Sequence, residues 1–162
     1  RDFCFDDNRL PFWARWNKTS SSAKNGTQFY SETNKMKIVD VGAGTGFTTI
    51  GVIQATNPAT TEITMLDQSN HQLDEAKKKP ILNNTKKILG DSHFIPFDNE
   101  TFHRWTSAGS VEYWSDPAQV YREAFRVLQP GGVAITIGPA RPTHWLAKQL
   151  ADLWYLFPQA SE

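Results

Sequence analysis

The sequence predicts an α/β three-layer sandwich around a mostly parallel sheet. Three observations predict it. β-rich and helical stretches alternate from Met36 to Ile137, a glycine-rich turn follows the first β-rich run, and an aspartate closes or follows each of the next two.

The elements come in order. Met36 to Val41 is a short β-rich run, the expected first strand. After the turn Gly42 to Gly46, the apolar stretch Phe47 to Ala55 predicts a helix, and Glu62 to Leu66 a second strand. Ser69 caps a helix through Ala76 that Pro80 stops. Lys86 to Leu89 is the third strand and Phe102 to Ser107 the fourth, with a loop through Pro96 between them. A helix from Pro117 to Leu128 begins with proline in its first turn. Pro130-Gly131-Gly132 then predicts a turn into a fifth strand, Val133 to Ile137. Last, Leu146, Leu150, Leu153, Trp154 and Phe157 fall at i, i+4, i+7, i+8 and i+11, the stripe of an amphipathic helix over 142–157. No internal repeat accompanies this order.

Residues 1–34 lack this alternation. Phe12, Trp13 and Trp16 precede a Ser/Asn/Gly-rich tract, Asn17 to Thr27, without periodicity, which predicts an N-terminal extension with a mobile loop. The core is expected over 35–158, with 159–162 a truncated end. At 162 residues, with Arg first, the chain reads as a fragment with one domain's core.

Composition narrows the partner. The 17 basic residues balance the 17 acidic ones, and no basic stripe extends beyond Lys77-Lys78-Lys79 with Lys86-Lys87, so the footprint of a nucleic-acid binder is missing. The single cysteine, Cys4, excludes an internal disulfide, and the four scattered histidines offer no zinc-spaced pair, so no metal is expected. No apolar run approaches the roughly 20 residues that span a bilayer, and no targeting signal is visible. Oligomeric state is not encoded legibly.

The glycine turn carries the first chemical signal. A ligand that must approach the backbone needs residues without Cβ, and Gly42, Gly44 and Gly46 supply three. A dinucleotide fingerprint, Gly-x-Gly-x-x-Gly, would place its third glycine later than Gly46. The order Asp40-Val41-Gly42-Ala43-Gly44-Thr45-Gly46 instead resembles motif I of methyltransferases.

Two acids stand where a nucleoside needs them. Asp67, ending the second strand, can accept from both ribose hydroxyls, with Gln68 beside it. Asp91, after the third strand, can accept from the adenine amino group, with the Ser92 backbone nearby. Singly, each acid also reads as a helix cap or a solvated loop residue; glycines and two aspartates at three successive strand ends read as one nucleoside site. Ser107 and Ser110 flank the expected place of the cofactor's methionine end, or serve as strand-end turn residues.

Longer segments sharpen this into a family resemblance. Ser110 to Pro117, SVEYWSDP, resembles the segment after strand four of ubiquinone and menaquinone type methyltransferases, and RVLQPGG, Arg126 to Gly132, resembles their RVLKPGG motif. DVGAGTGFTT from Asp40, LDQS from Leu66, SAGSVEYW from Ser107 and DLWYLFP from Asp152 are together similar to the plastid methyl-phytyl-benzoquinol methyltransferase family. The resemblance covers about Lys35 to Pro158. Ala43 departs from a glycine common there, and Asn17 to Thr27 reads as an insertion.

The resemblance implies a Rossmann-like class I methyltransferase fold lacking the last two strands of seven. It implies S-adenosyl-L-methionine as cofactor, cradled by Asp40, Gly42, Ala43, Gly44, Gly46, Asp67, Gln68, Asp91, Ser92, Ser107 and Ser110. It implies methylation of a ring carbon of a prenylated benzoquinol, a step toward tocopherol and plastoquinone, at a plastid inner envelope or thylakoid membrane. A methyl sulfonium is already activated, so the protein's tasks are alignment and exclusion of water. A base near a quinol hydroxyl would make the ring carbon more nucleophilic, and the candidates are Glu112, Tyr113 and His144.

Other readings stay open. Glu112 also reads as a structural acid, His144 as a surface residue at a helix end, and Tyr113 as packing for Trp114. The apolar 145–157 helix reads as core, as a wall for a prenyl chain, or as peripheral membrane contact. The acceptor could instead be another lipid-like molecule, a ubiquinone or menaquinone precursor or a sterol. A nicotinamide-dependent oxidoreductase and a non-catalytic methyltransferase-like binding protein complete the alternatives.

Overall fold

The computed structural model of the chain describes residues 30–138. Five strands, β1 (Met36–Val41), β2 (Thr61–Asp67), β3 (Lys86–Leu89), β4 (Phe102–Ala108) and β5 (Leu128–Ile137), form one sheet in the order β3-β2-β1-β4-β5. Every pairing is parallel. Among the described residues three α-helices lie in the connections: α1 (Phe47–Ala55), α2 (Asn70–Lys77) and α3 (Pro117–Val127). The last helix foreseen in the sequence, 142–157, lies outside the described residues, as does the N-terminal extension through residue 29.

Layering arises from strand alternation. Val39, Val41 and Trp105 turn to one face and pack with Val120, Ala124 and Val127 of α3, which recur at i, i+4 and i+7. Ile38 and Ile63 turn to the other face against Val52 of α1, and Met65 packs there with Ala76 of α2. The sheet is therefore covered by α1 and α2 on one side and by α3 on the other, the sandwich foreseen from the alternation.

Two strands, β2 and β4, extend a residue beyond their expected ends, and one expectation fails. Pro130-Gly131-Gly132 is not a turn outside the sheet but part of β5. Phe102 pairs with Leu128, yet Arg104, two residues on, pairs with Val133, five residues on. The surplus residues form a bulge, with Gly131 at φ +79°, and β5 resumes its register after it. Proline and glycine mark an irregularity in a strand as readily as a turn.

The loop between β3 and β4 is held from α3. Glu123 Oε2 accepts the Ile95 N–H at 2.8 Å, and Arg126, bonded to both Glu123 oxygens at 2.7 Å, donates to the carbonyls of Ile95 and Phe97. Arg126 lowers the Glu123 pKa through these bonds. Glu123→Ala leaves the buried Ile95 amide without its acceptor and the Arg126 guanidinium without its carboxylate partner, so it is expected to cost roughly 2–3 kcal/mol in urea unfolding.

Candidate cofactor site at the sheet's switch point

The strand order reverses direction between β1 and β4: from β1 the chain moves outward to β2 and β3, then returns to β4 on β1's other side. The crevice beyond the C-terminal ends of these two strands is where open α/β sheets take ligands. A cavity of about 380 Å³ lies there, within the range of small-molecule sites.

Its floor is the turn after β1. Gly42, at φ +70°, faces Ser110 so closely that a Cβ would stand 2.6 Å from the Ser110 Cβ. Only glycine leaves this floor open. Gly46, at φ +86°, is the N-cap of α1, and a Cβ on it would collide with the Leu82 side chain. No side chain caps α1.

Asp67 forms the wall at the end of β2. Its Oδ2 accepts the Gly44 N–H at 2.7 Å and its Oδ1 accepts the Ser69 N–H at 2.8 Å. The carboxylate thus fixes the glycine turn and the start of α2, and each oxygen keeps a lone pair for a hydroxyl in the cavity. Gln68, Ser69 and Gln72 continue this wall. Ser69 accepts the Gln72 N–H at 3.3 Å, the cap foreseen in the sequence.

Across the cavity stand Gly90, Ser92 and His93 after β3, and Gly109, Ser110, Tyr113 and Trp114 after β4. Trp114 is seated edge-on against Trp105, centroids 6.2 Å apart, and against Tyr121 at 5.7 Å. Tyr113 is 76% exposed at the mouth.

Two of the sequence's candidates lie beneath the cavity rather than in its wall. Asp40 is fully buried, where its Oδ2 accepts the Thr49 hydroxyl at 2.5 Å, joining β1 to α1. Burial raises its pKa to about 7, with the Asp67 charge adding to the rise and the Thr49 bond opposing it. Its Oδ1 has no hydrogen-bond partner among the described residues. Ser107, also fully buried, donates to the Val41 carbonyl at 2.7 Å and shares a short bond with the Ser110 hydroxyl. Ser107 therefore positions Ser110, and Ser110 is the hydroxyl on the cavity wall.

Asp91 is not part of the cavity lining, although Gly90 and Ser92 on either side of it are. Its Oδ1 accepts both the His93 N–H, at 2.9 Å, and a hydrogen bond from His93 Nδ1, at 2.7 Å, and these bonds lower its pKa. Glu112 occupies the short 3-10 turn Val111–Tyr113, outside the cavity lining, with its Oε2 buried and without a partner among the described residues. His144 falls outside the described residues. Ser69, Gln72, Gly90, His93, Gly109 and Trp114 of the lining were not among the foreseen site residues; the Asp-x-His spacing after β3 was the available signal for His93, since aspartate commonly bonds the amide two residues on.

Two further hollows frame the site. An apolar one, about 680 Å³, shares Gly42, Gly44 and Gly109 with the cavity and is walled by Phe47, Ile50, Ile135 and Ile137. A polar one, about 540 Å³, opens at the opposite edge of the sheet among Glu32, Lys35 and Gln129, away from the switch point. No cluster of metal-ligating side chains occurs among the described residues.

Residues 38–132 match the family described as "Methyltransferase domain". A chloroplastic 2-methyl-6-phytyl-1,4-hydroquinone methyltransferase of Oryza sativa subsp. japonica is 50% identical over 127 residues, 78% of this chain and 38% of the relative. The demethylmenaquinone methyltransferase of Staphylococcus aureus is 33% identical over 75% of this chain and 50% of its own. This chain spans a little over a third of the length of the plant relatives it matches. Among solved structures, a Methanococcus maripaludis protein provisionally described as an S-adenosyl-L-methionine-dependent methyltransferase superposes with a TM-score of 0.59, at 25% identity, covering 75% of this chain and 55% of that one.

Proposed function

Because this chain belongs to the methyltransferase domain family, we propose that it binds S-adenosyl-L-methionine at the switch-point cavity and methylates a ring carbon of a prenylated benzoquinol. The observation that carries the cofactor reading is the Gly42–Asp67 arrangement: a bare backbone floor beside a carboxylate that ends β2. The plant relatives, at 48–50% identity, carry the acceptor reading.

The roles divide by position. Asp67 holds the ribose hydroxyls, the Gly90–Ser92 backbone borders the adenine, and Ser110 with the uncapped start of α1 faces the amino-acid end. When bound, the cofactor supplies a methyl group already activated on a sulfonium. Trp114 and Tyr113 shield that end from water. The apolar hollow sharing Gly42 and Gly44 suits an acceptor of hydrocarbon character. Glu112 is the base we assign: its Oε2 is uncommitted among the described residues, and it lies in the chain between Ser110 and Tyr113 of the cavity wall, although it does not itself line the cavity. Tyr113 and, beyond the described residues, His144 are the remaining candidates.

By the names of the plant relatives, the location we assign is the plastid. No helix among the described residues is long and apolar enough to cross a membrane.

The test is transfer of a labelled methyl group by the full-length protein to 2-methyl-6-phytyl-1,4-hydroquinone, a demethylated menaquinol and a sterol. Label in the first acceptor is expected. Label only in another would replace the acceptor and leave the cofactor reading intact. Glu112→Gln is expected to lower kcat by about 100-fold with cofactor affinity unchanged, the signature of a lost base.

A further inference from the structure

His93 joins the two walls of the cavity. Its backbone and ring bind Asp91 in the loop after β3, while its Nε2 lies 3.2 Å from the Asp116 amide nitrogen and 3.3 Å from the Ser115 hydroxyl, both just before α3. Gln119 of α3 adds a bond to the His93 carbonyl at 3.1 Å. A backbone N–H can only donate, so Nε2 must present its lone pair to Asp116, and the ring proton must sit on Nδ1, directed at Asp91. The network thus requires one neutral tautomer.

Resting on the cofactor reading, we propose that His93 is a positioning residue for the nucleoside end of the site. Its ring fixes the Asp91 carboxylate and clasps the loop after β3 to the segment that follows Tyr113 and Trp114. His93 itself lines the cavity between these walls, beside Gly90 and Ser92, and acts through their spacing; it takes no part in the methyl transfer.

The experiment is calorimetric titration of S-adenosylhomocysteine into the full-length protein for wild type, His93→Gln and His93→Ala, with urea unfolding of each to confirm that all three are folded. His93→Gln keeps an acceptor for the Asp116 N–H but loses the ring bond to Asp91, so it is expected to bind about threefold more weakly than wild type, and His93→Ala, which loses both, about tenfold. Binding by folded His93→Ala within twofold of wild type, or no recovery in His93→Gln over His93→Ala, would overturn the role of His93. Absence of binding by folded wild type would overturn the cofactor reading, and this proposal with it.

Discussion

Asp67→Ala is expected to weaken binding of S-adenosylhomocysteine by two orders of magnitude or more. The carboxylate serves two ends at once. On the cavity side it is placed to accept the ribose hydroxyls, and hydrogen bonds to a charged group are each worth roughly 1.5–3 kcal/mol. Two of them amount to about 100-fold or more in affinity. On the protein side it binds the Gly44 and Ser69 N–H groups, so its removal also frees the turn that forms the floor. Asp67→Asn separates the two effects. An amide can keep one backbone acceptor but must turn a donor toward the other N–H, so it should fall between wild type and alanine. Calorimetry across the series checks the order, and a binding constant for Asp67→Ala within threefold of wild type would refute the assignment of this wall.

The second large effect lies under the site. Folding raises the Asp40 pKa from the ordinary carboxylate range to about 7, chiefly through burial. The folded state therefore holds a proton on Asp40 that the unfolded chain has released, in the window from about pH 4 to about pH 7. Where the folded state binds more protons, stability falls as pH rises. The contribution is fully present below the unfolded pKa, declines through the window, and is lost above about pH 7, where the folded protein keeps a buried carboxylate with one unpartnered oxygen. Asp40→Asn holds the shape and the Thr49 bond without a charge to bury. It is expected to be more stable than wild type at pH 8 by an amount on the order of a few kcal/mol, with little difference near pH 4. Urea unfolding at pH 4, 6 and 8 measures this, and parallel pH profiles for the two proteins would refute it. The comparison with the variant removes the titration of the histidines, which both share.

Much of this architecture was legible because it depends on local pattern. The β-rich run Met36 to Val41, the spacing of Gly42, Gly44 and Gly46, and the Ser69 cap are each set within a few residues, and each is where the sequence places it. The placement of Asp67 at a strand end came from β2 being recognisable. What escaped depends on contacts distant in sequence. That Asp40 is buried against Thr49, so that it supports the floor instead of lining it, results from how α1 docks on β1. The Ser107 hydroxyl is spent on Val41 because β4 lies beside β1, an adjacency the linear order hides. His93 reaches Asp116 across 23 residues, through a loop whose course no periodicity marks. Pro130-Gly131-Gly132 misled for the converse reason, since the local signal for a turn was overridden by pairing with β4.

The central claim is that the switch-point cavity is an S-adenosyl-L-methionine site, and it is tested most directly by titrating S-adenosylhomocysteine into the folded full-length protein. Saturable one-to-one binding is expected, displaced by S-adenosyl-L-methionine, unaffected by a nicotinamide dinucleotide, and lost in Asp67→Ala. A folded protein that takes up no S-adenosylhomocysteine, or whose binding survives Asp67→Ala unchanged, would contradict it.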